Sequence, residues 1–275
     1  MPATATPWIR RPAVAGYYYA ADPSELREAI NAITQGGAVP RAACAVVVPH
    51  DSYPRSGAIA GAALSQVVIP RRCVVLGPSH TGHWARWSLM AAGTYRTPLG
   101  DVPVDEARAE ALRARCPFLE MDAWAQRGEH AIEVVLPFLQ RLGPADLTVV
   151  PIIMGTEDRG EISRLAGALA HVVGASDEAT LLVASSNLSQ YESHPRAVER
   201  DRALIGTICG LDSIGLFRTL EETGTRMCGS GAVACVLEAA VALGAQGGHV
   251  ARYGTSADAE GDPDSVTGYA GVIIS

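Results

Sequence analysis

Short apolar runs rich in valine and isoleucine alternate along this chain with stretches whose apolar positions recur every three or four residues. The runs predict buried strands over Ala43–Val48, Cys73–Leu76, Trp87–Ala92, Leu147–Met154, Thr180–Ala184, Val250–Tyr253 and Tyr269–Ile274. Between them, Ser24–Thr34 places Leu26, Ile30 and Ile33 at helical spacing behind a capping candidate, Asp22 or Ser24. Three more helices are predicted in VDEARAEALRAR, EISRLAGALAHVV and GSGAVACVLEAAVAL, the last rich in small residues and buried. This alternation implies an α/β fold with a mostly parallel sheet covered on both faces. The polar, turn-prone Ser256–Ser265 predicts an exposed hairpin or loop before the last strand. No repeat, low-complexity tract or long linker interrupts the pattern, so residues 1–275 read as one domain.

Composition narrows the function. With 275 residues and 48% hydrophobic content the chain can bury one large core. The net charge is −7, and the basic residues are all arginine, scattered rather than clustered, which argues against a nucleic-acid partner. The first twenty residues lack the apolar run of a signal peptide, and no window approaches a membrane span, so the expectation is a soluble, cytoplasmic protein with no membrane partner. Six cysteines (Cys44, Cys73, Cys116, Cys209, Cys228, Cys235) show no CxxC pairing and read as reduced thiols, most of them small buried hydrophobes.

Candidate chemistry gathers at strand ends, where ligands collect in open α/β sheets. AVVV ends on Pro49-His50, CVVLGP on Ser79-His80, and LLVA on Ser185-Ser186-Asn187. Three polar strand ends, two of them delivering histidine, suggest a shared pocket. In RGEHAIEVVLPFL, Glu129 and Glu133 are four apart, which predicts an amphipathic helix with a solvated acidic face and His130 beside it. Cys228, in TRMCGSGAV, precedes the start of a helix, where the dipole favours thiolate. Two imidazoles and a thiolate suit zinc, iron or copper, although a strand-end histidine is ordinarily just hydrogen-bonded.

In order and spacing, the blocks RPAVAGYYY, VVPHDSYPRSG, LGPSH, GEHAIEVVLPFL, ASSNLSQY and CGSGA resemble the Memo-like family, which includes AmmeMemoRadiSam system protein B. The resemblance runs from Arg11 to Ile274. It implies a single three-layer α/β/α domain with a mostly parallel mixed sheet, like that of the LigB-type class III extradiol dioxygenases, and a metal site at His50, His80 and Cys228, with the cysteine in the position of the dioxygenases' carboxylate. It also implies a transition metal, Fe(II) first, with Cu or Zn as alternatives. The family's PHAGY reads Pro49-His50-Asp51-Ser52-Tyr53 here, so Asp51 could bond a ligand histidine, join the ligands or face solvent. Its SSDLSH block reads Ser185-Ser186-Asn187-Leu188-Ser189-Gln190 here, losing an acid at 187 and, at 190, a histidine that resembles the dioxygenases' general base; glutamine takes no proton at neutral pH. By resemblance, therefore, the catalytic candidates are His130, as a replacement for proton transfer, and Gln190, at the base's old position. His83 and His194 are weaker candidates, and Tyr53 and Trp84 are pocket-lining or packing aromatics.

Three functions remain open at this level. One is a metal-dependent dioxygenase or other oxidoreductase acting on a small organic substrate. Another is a non-catalytic module that binds a peptide or protein in the same pocket; no arginine cluster marks a phosphate site, although Arg55 and Arg86 follow the histidine blocks. The third is an accessory protein of a radical SAM system, with AMMECR-like and radical SAM partners. A hydrolase built on Cys228 and His130 ranks last.

Overall fold

The computed structural model describes residues 8–34, 39–81, 86–259 and 261–275. The strands are β1 (Ile9–Arg10), β2 (Ala45–Val48), β3 (Arg72–Pro78), β4 (Trp87–Leu89), β5 (Thr94–Thr97), β6 (Gly100–Pro103), β7 (Thr148–Met154), β8 (Thr180–Ser185), β9 (Gln190–Glu192), β10 (Gly248–Thr255) and β11 (Val266–Ile274). The α-helices are α1 (Pro23–Thr34), α2 (Ala58–Leu64), α3 (Glu106–Arg115), α4 (Leu136–Leu142), α5 (Arg159–Gly174), α6 (His194–Cys209), α7 (Ser213–Thr223) and α8 (Ser230–Ala242).

The main sheet has eight strands in the order β10-β11-β2-β8-β3-β7-β4, with β9 paired to β11. Its centre, β2-β8-β3-β7, is parallel, and β10, β11, β9 and β4 add antiparallel flanks. One helical layer holds α1, α2 and α4; the other runs through α3, α5, α8, α7 and α6. Covered on both faces, β2 and β8 are buried at every residue, which is why their sequences read as unbroken apolar runs rather than alternating ones. A separate three-stranded sheet, β1-β5-β6, lies to one side.

All seven predicted strands are present, with Trp87–Ala92 shortened to the edge strand Trp87–Leu89, and so are the four predicted helices. Pattern reading did not identify α2, α6, α7 or the small sheet. The segment around Glu129 and Glu133 differs from expectation. It is a series of turns, with α4 starting only at Leu136, and both carboxylates are buried rather than solvated. Pro137 has no amide to continue a helix from upstream, so it fits only the first turn of α4. Glu129 meanwhile accepts the backbone N–H groups of His130 and Ala131 within the segment, and Glu133 accepts those of Ala13 and Val14 from the N-terminal segment.

Candidate metal centre

β2, β8 and β3 are neighbours and parallel, so their carboxyl ends open on one edge of the sheet. His50 follows β2 by two residues. Its backbone N–H donates to Asn187 Oδ1 at 3.0 Å, and its Nδ1 lies 2.9 Å from Ser185 Oγ, whose hydroxyl donates to the Ala131 carbonyl at 2.6 Å. A hydroxyl that has given its proton to Ala131 accepts from His50 Nδ1–H, which leaves Nε2 as the free lone pair. That nitrogen is 3.3 Å from Cys228 Sγ.

Cys228 is carried to the site by the close approach of the α8 N-terminus to β8. A Cβ on Gly229 would lie 2.5 Å from Ser186 Cβ and 2.7 Å from the Ser185 carbonyl oxygen, so the residue after the thiol has to be glycine. Gly77 plays the same part under the turn segment, where a Cβ would meet Ala131 Cβ at 2.9 Å.

His80, just beyond β3, stands at the mouth with its side chain 32% exposed. Its Nδ1 is 2.8 Å from Glu129 Oε1. Glu129 also accepts the N–H groups of His80, His130 and Ala131. His130 lies against both other imidazoles, its ring stacked 4.4 Å from that of His80 and edge-on at 5.5 Å to that of His50. Tyr18 presents its ring to His130 at 4.9 Å.

Among the described residues, two sets of ligating atoms fall within 4.8 Å of one another: His50, His80 and Cys228, and His80, Glu129 and His130. Geometry favours the first. Four donors already occupy the Glu129 oxygens, about the capacity of a carboxylate, whereas among the described residues His50 Nε2 and Cys228 Sγ have no backbone partner closer than 4.0 Å. Glu129 thus orients His80 from behind, as carboxylates do for ligating histidines.

In metal-free protein the same groups form a thiolate–imidazolium pair, so an ion that binds here displaces a proton from His80. Burial opposes ionisation of Cys228, but His50 and His80 outweigh it and bring the thiol down to about 6. Burial pulls His80 down, yet the Cys228 sulfur and Glu129 hold it up at about 10. Glu129 is likewise drawn down to about 2, against its burial, by His80 and the backbone amides. His130, buried beside His50 and His80, falls to about 4 and is neutral at pH 7. Burial pushes every other thiol up, Cys73 to about 12.

This contrast has a direct readout. Metal-free protein treated with iodoacetamide at pH 7 is expected to be alkylated at Cys228 before any other cysteine, as read by peptide mass spectrometry. Thiolate is the reactive form, so the rate should rise between pH 5 and pH 7 and then level off, rather than climbing through 8.5 as an ordinary thiol does. Equal labelling of Cys44 and Cys228 at pH 7 would contradict the assignment.

The remaining sequence candidates separate from this cluster. Gln190 sits in β9, paired with Thr267, and no hydrogen bond among the described residues links its side chain to the three histidines. Asp51 accepts from Ser52 N–H and from Tyr269 OH, each at 2.6 Å, and pairs with Arg55, so it neither bonds a ligand histidine nor simply faces solvent. Tyr53 is a packing residue: it donates to the Val134 carbonyl at 3.0 Å and packs on Tyr19 and Phe138. His194 bonds Thr255 Oγ1 at 3.0 Å. His83 and Trp84 lie outside the described residues. A cavity of about 300 Å³ flanks Cys228, lined by Ser79, Met154, Thr156 and Glu157 among others.

The orienting roles of Ser185 and Glu129 were not readable from sequence, where the first was one of several strand-end polar residues and the second an ordinary acidic position.

Residues 10–273 match the family model described as Memo-like protein. Among curated relatives, a MEMO1 family protein of Methanopyrus kandleri is 36% identical over 278 residues, covering 96% of this chain and 98% of the relative. One from Sulfolobus acidocaldarius is 36% identical over 280 residues with the same coverage, and one from Methanothermobacter thermautotrophicus is 34% identical over 274, covering 95% and 99%. Among solved structures, the uncharacterized protein JW3007 of Escherichia coli K12 superimposes with a TM-score of 0.53 at 17% identity, covering 83% of this chain and 98% of that one, a likeness of fold alone.

Proposed function

Since the chain belongs to the Memo-like protein family, we propose that it is a metal-binding protein whose ion is held by His50, His80 and Cys228 and serves redox or oxygenase-type chemistry on a small organic substrate. The single observation that carries the reading is the convergence of two imidazoles and a thiolate within 4.8 Å. Each imidazole has its far nitrogen engaged, His50 by Ser185 and His80 by Glu129, which fixes ring orientation and leaves Nε2 for a ligand. A set of two nitrogens and one soft sulfur fits Fe(II), Cu or Zn, and oxygen chemistry selects the first two. A bound iron or copper ion supplies Lewis acidity and one-electron redox chemistry.

The chain's own residues do the rest. His80 stands at the solvent side, so a ligand enters past it. His130, neutral at pH 7 and stacked on His80, offers a ring nitrogen where Gln190 offers none, and burial beside two imidazoles makes it a weak base that takes a proton only transiently. Glu129 holds His80 in place and keeps negative charge beneath it.

Glu129→Gln tests the orienting part. A glutamine accepts fewer of the four hydrogen bonds and removes the charge, so affinity for the metal, read by competition with a chelator, is expected to drop about 10–100-fold. Unchanged affinity would mean that His80 is not a ligand oriented through Glu129.

A further inference from the structure

The largest cavity described, about 930 Å³, is lined by Trp8, Arg11, Thr81, Trp124, Arg127 and Gly128 together with neighbouring apolar residues. In a chain of net charge −7, no carboxylate lines it among the described residues, whereas two arginines do. They come together from 116 positions apart, which is why no cluster was visible in the sequence. Arg55 and Arg86, the arginines that follow the histidine blocks, are instead paired with acidic residues: Arg55 with Asp51, Arg86 with Asp158 and Glu161.

Arg11 and Arg127 form no ion pair with a described carboxylate. Arg127 lies over the Trp124 ring at 5.4 Å, a contact that positions the guanidinium while leaving its charge and N–H donors available. Arg11 is held from behind: its carbonyl accepts from the buried Arg10 at 3.0 Å, and the amides of Ala13 and Val14 are tied to Glu133 at 2.8 and 3.0 Å. Consecutive arginines thus divide their tasks, one buried as an anchor and one exposed in the cavity wall. Trp8 and the largely exposed Trp124 add flat apolar surface. Thr81 Oγ1 is shielded from solvent and has no hydrogen-bond partner among the described residues.

We infer that this cavity binds a small organic oxyanion, a carboxylate or phosphate ester carried on a flat aromatic or conjugated body. The arginine forks hold the anionic group and the tryptophans cover the flat part. Its volume suits such a ligand. Thr81 follows His80 and Gly128 precedes Glu129, so the cavity borders the candidate metal centre. Binding itself stands apart from the metal reading; only a role as the seat of that centre's substrate rests on it.

The test is isothermal titration calorimetry of the full chain, both as purified and after metal removal, with 2-naphthoate, 2-naphthyl phosphate and the uncharged 2-naphthamide. At least one anion is expected to bind tenfold or more tighter than the amide, and the tighter of the two identifies carboxylate or phosphate as the preferred head. The Arg11→Gln/Arg127→Gln double variant is expected to lose tenfold or more of that affinity, and the remote Arg27→Gln variant none. Circular dichroism confirms that each variant is folded. No preference for either anion over the amide, or equal affinity in the double variant, would overturn the inference. Anion binding by metal-free protein that takes up no metal would leave this inference standing and sink the metal reading; metal uptake without anion binding would do the reverse.

Discussion

Arg10→Met is expected to destabilise the protein by about 3–5 kcal/mol, the cost of leaving a buried charge without its partner. Arg10 and Glu133 are both fully buried and joined by an ion pair. Arg10 also donates to the carbonyls of Gln126 and Arg11, each at 3.0 Å, and its guanidinium lies 5.1 Å from the Tyr95 ring centroid. Glu133 accepts in addition from Tyr19 OH at 2.6 Å and from two backbone amides. Methionine fills much of the arginine's volume, so the loss reports the charge rather than a void. Arg10→Met combined with Glu133→Gln should recover part of it, because the orphaned carboxylate is then gone. Urea unfolding followed by circular dichroism measures both. A change under 1 kcal/mol in the single variant would show that Glu133 is satisfied without Arg10.

Cys228→Ser is the second large effect, and it falls on metal affinity. The thiol, brought to about 6 by the two histidines, is mostly thiolate at pH 7. A serine hydroxyl does not ionise there and is a hard, neutral donor. Structural zinc sites draw roughly 10–16 kcal/mol from their full ligand set. Loss of one of three ligands is accordingly expected to weaken Fe(II) or Cu binding by about 100-fold or more. Serine also removes the charge partner of His80, so the metal-free variant is expected to unfold below the wild-type midpoint, and metal affinity is compared on protein that circular dichroism shows to be folded. A serine variant that binds metal as tightly as wild type would remove Cys228 from the ligand set.

The sheet was legible because its centre is covered on both faces: β2, β3, β7 and β8 have no solvent side, and an unbroken apolar run is what that environment selects. His50, His80 and Cys228 were legible for a related reason. Each follows or precedes an apolar element with a clear end, so its position could be read from where the element stopped. Residues whose role depends on contacts between distant segments were not legible. Glu129 and Glu133 carry helical spacing, and only the partners brought by β1 and the turn after β3 reveal that both are buried. Arg11 and Arg127 are unremarkable among 22 basic residues until the fold sets them around one cavity. Asp51 was ambiguous for the same reason, and Tyr269, 218 positions away, decides it.

Whether His50, His80 and Cys228 hold a metal is decided by the metal content of untagged protein purified without oxygen, determined by mass spectrometry beside His80→Ala and Cys228→Ser. Close to one equivalent of iron or copper is expected in the wild type, and most of it is expected to be lost in both variants. Protein that carries no metal and cannot be loaded, or that keeps its metal in both variants, would contradict this ligand set.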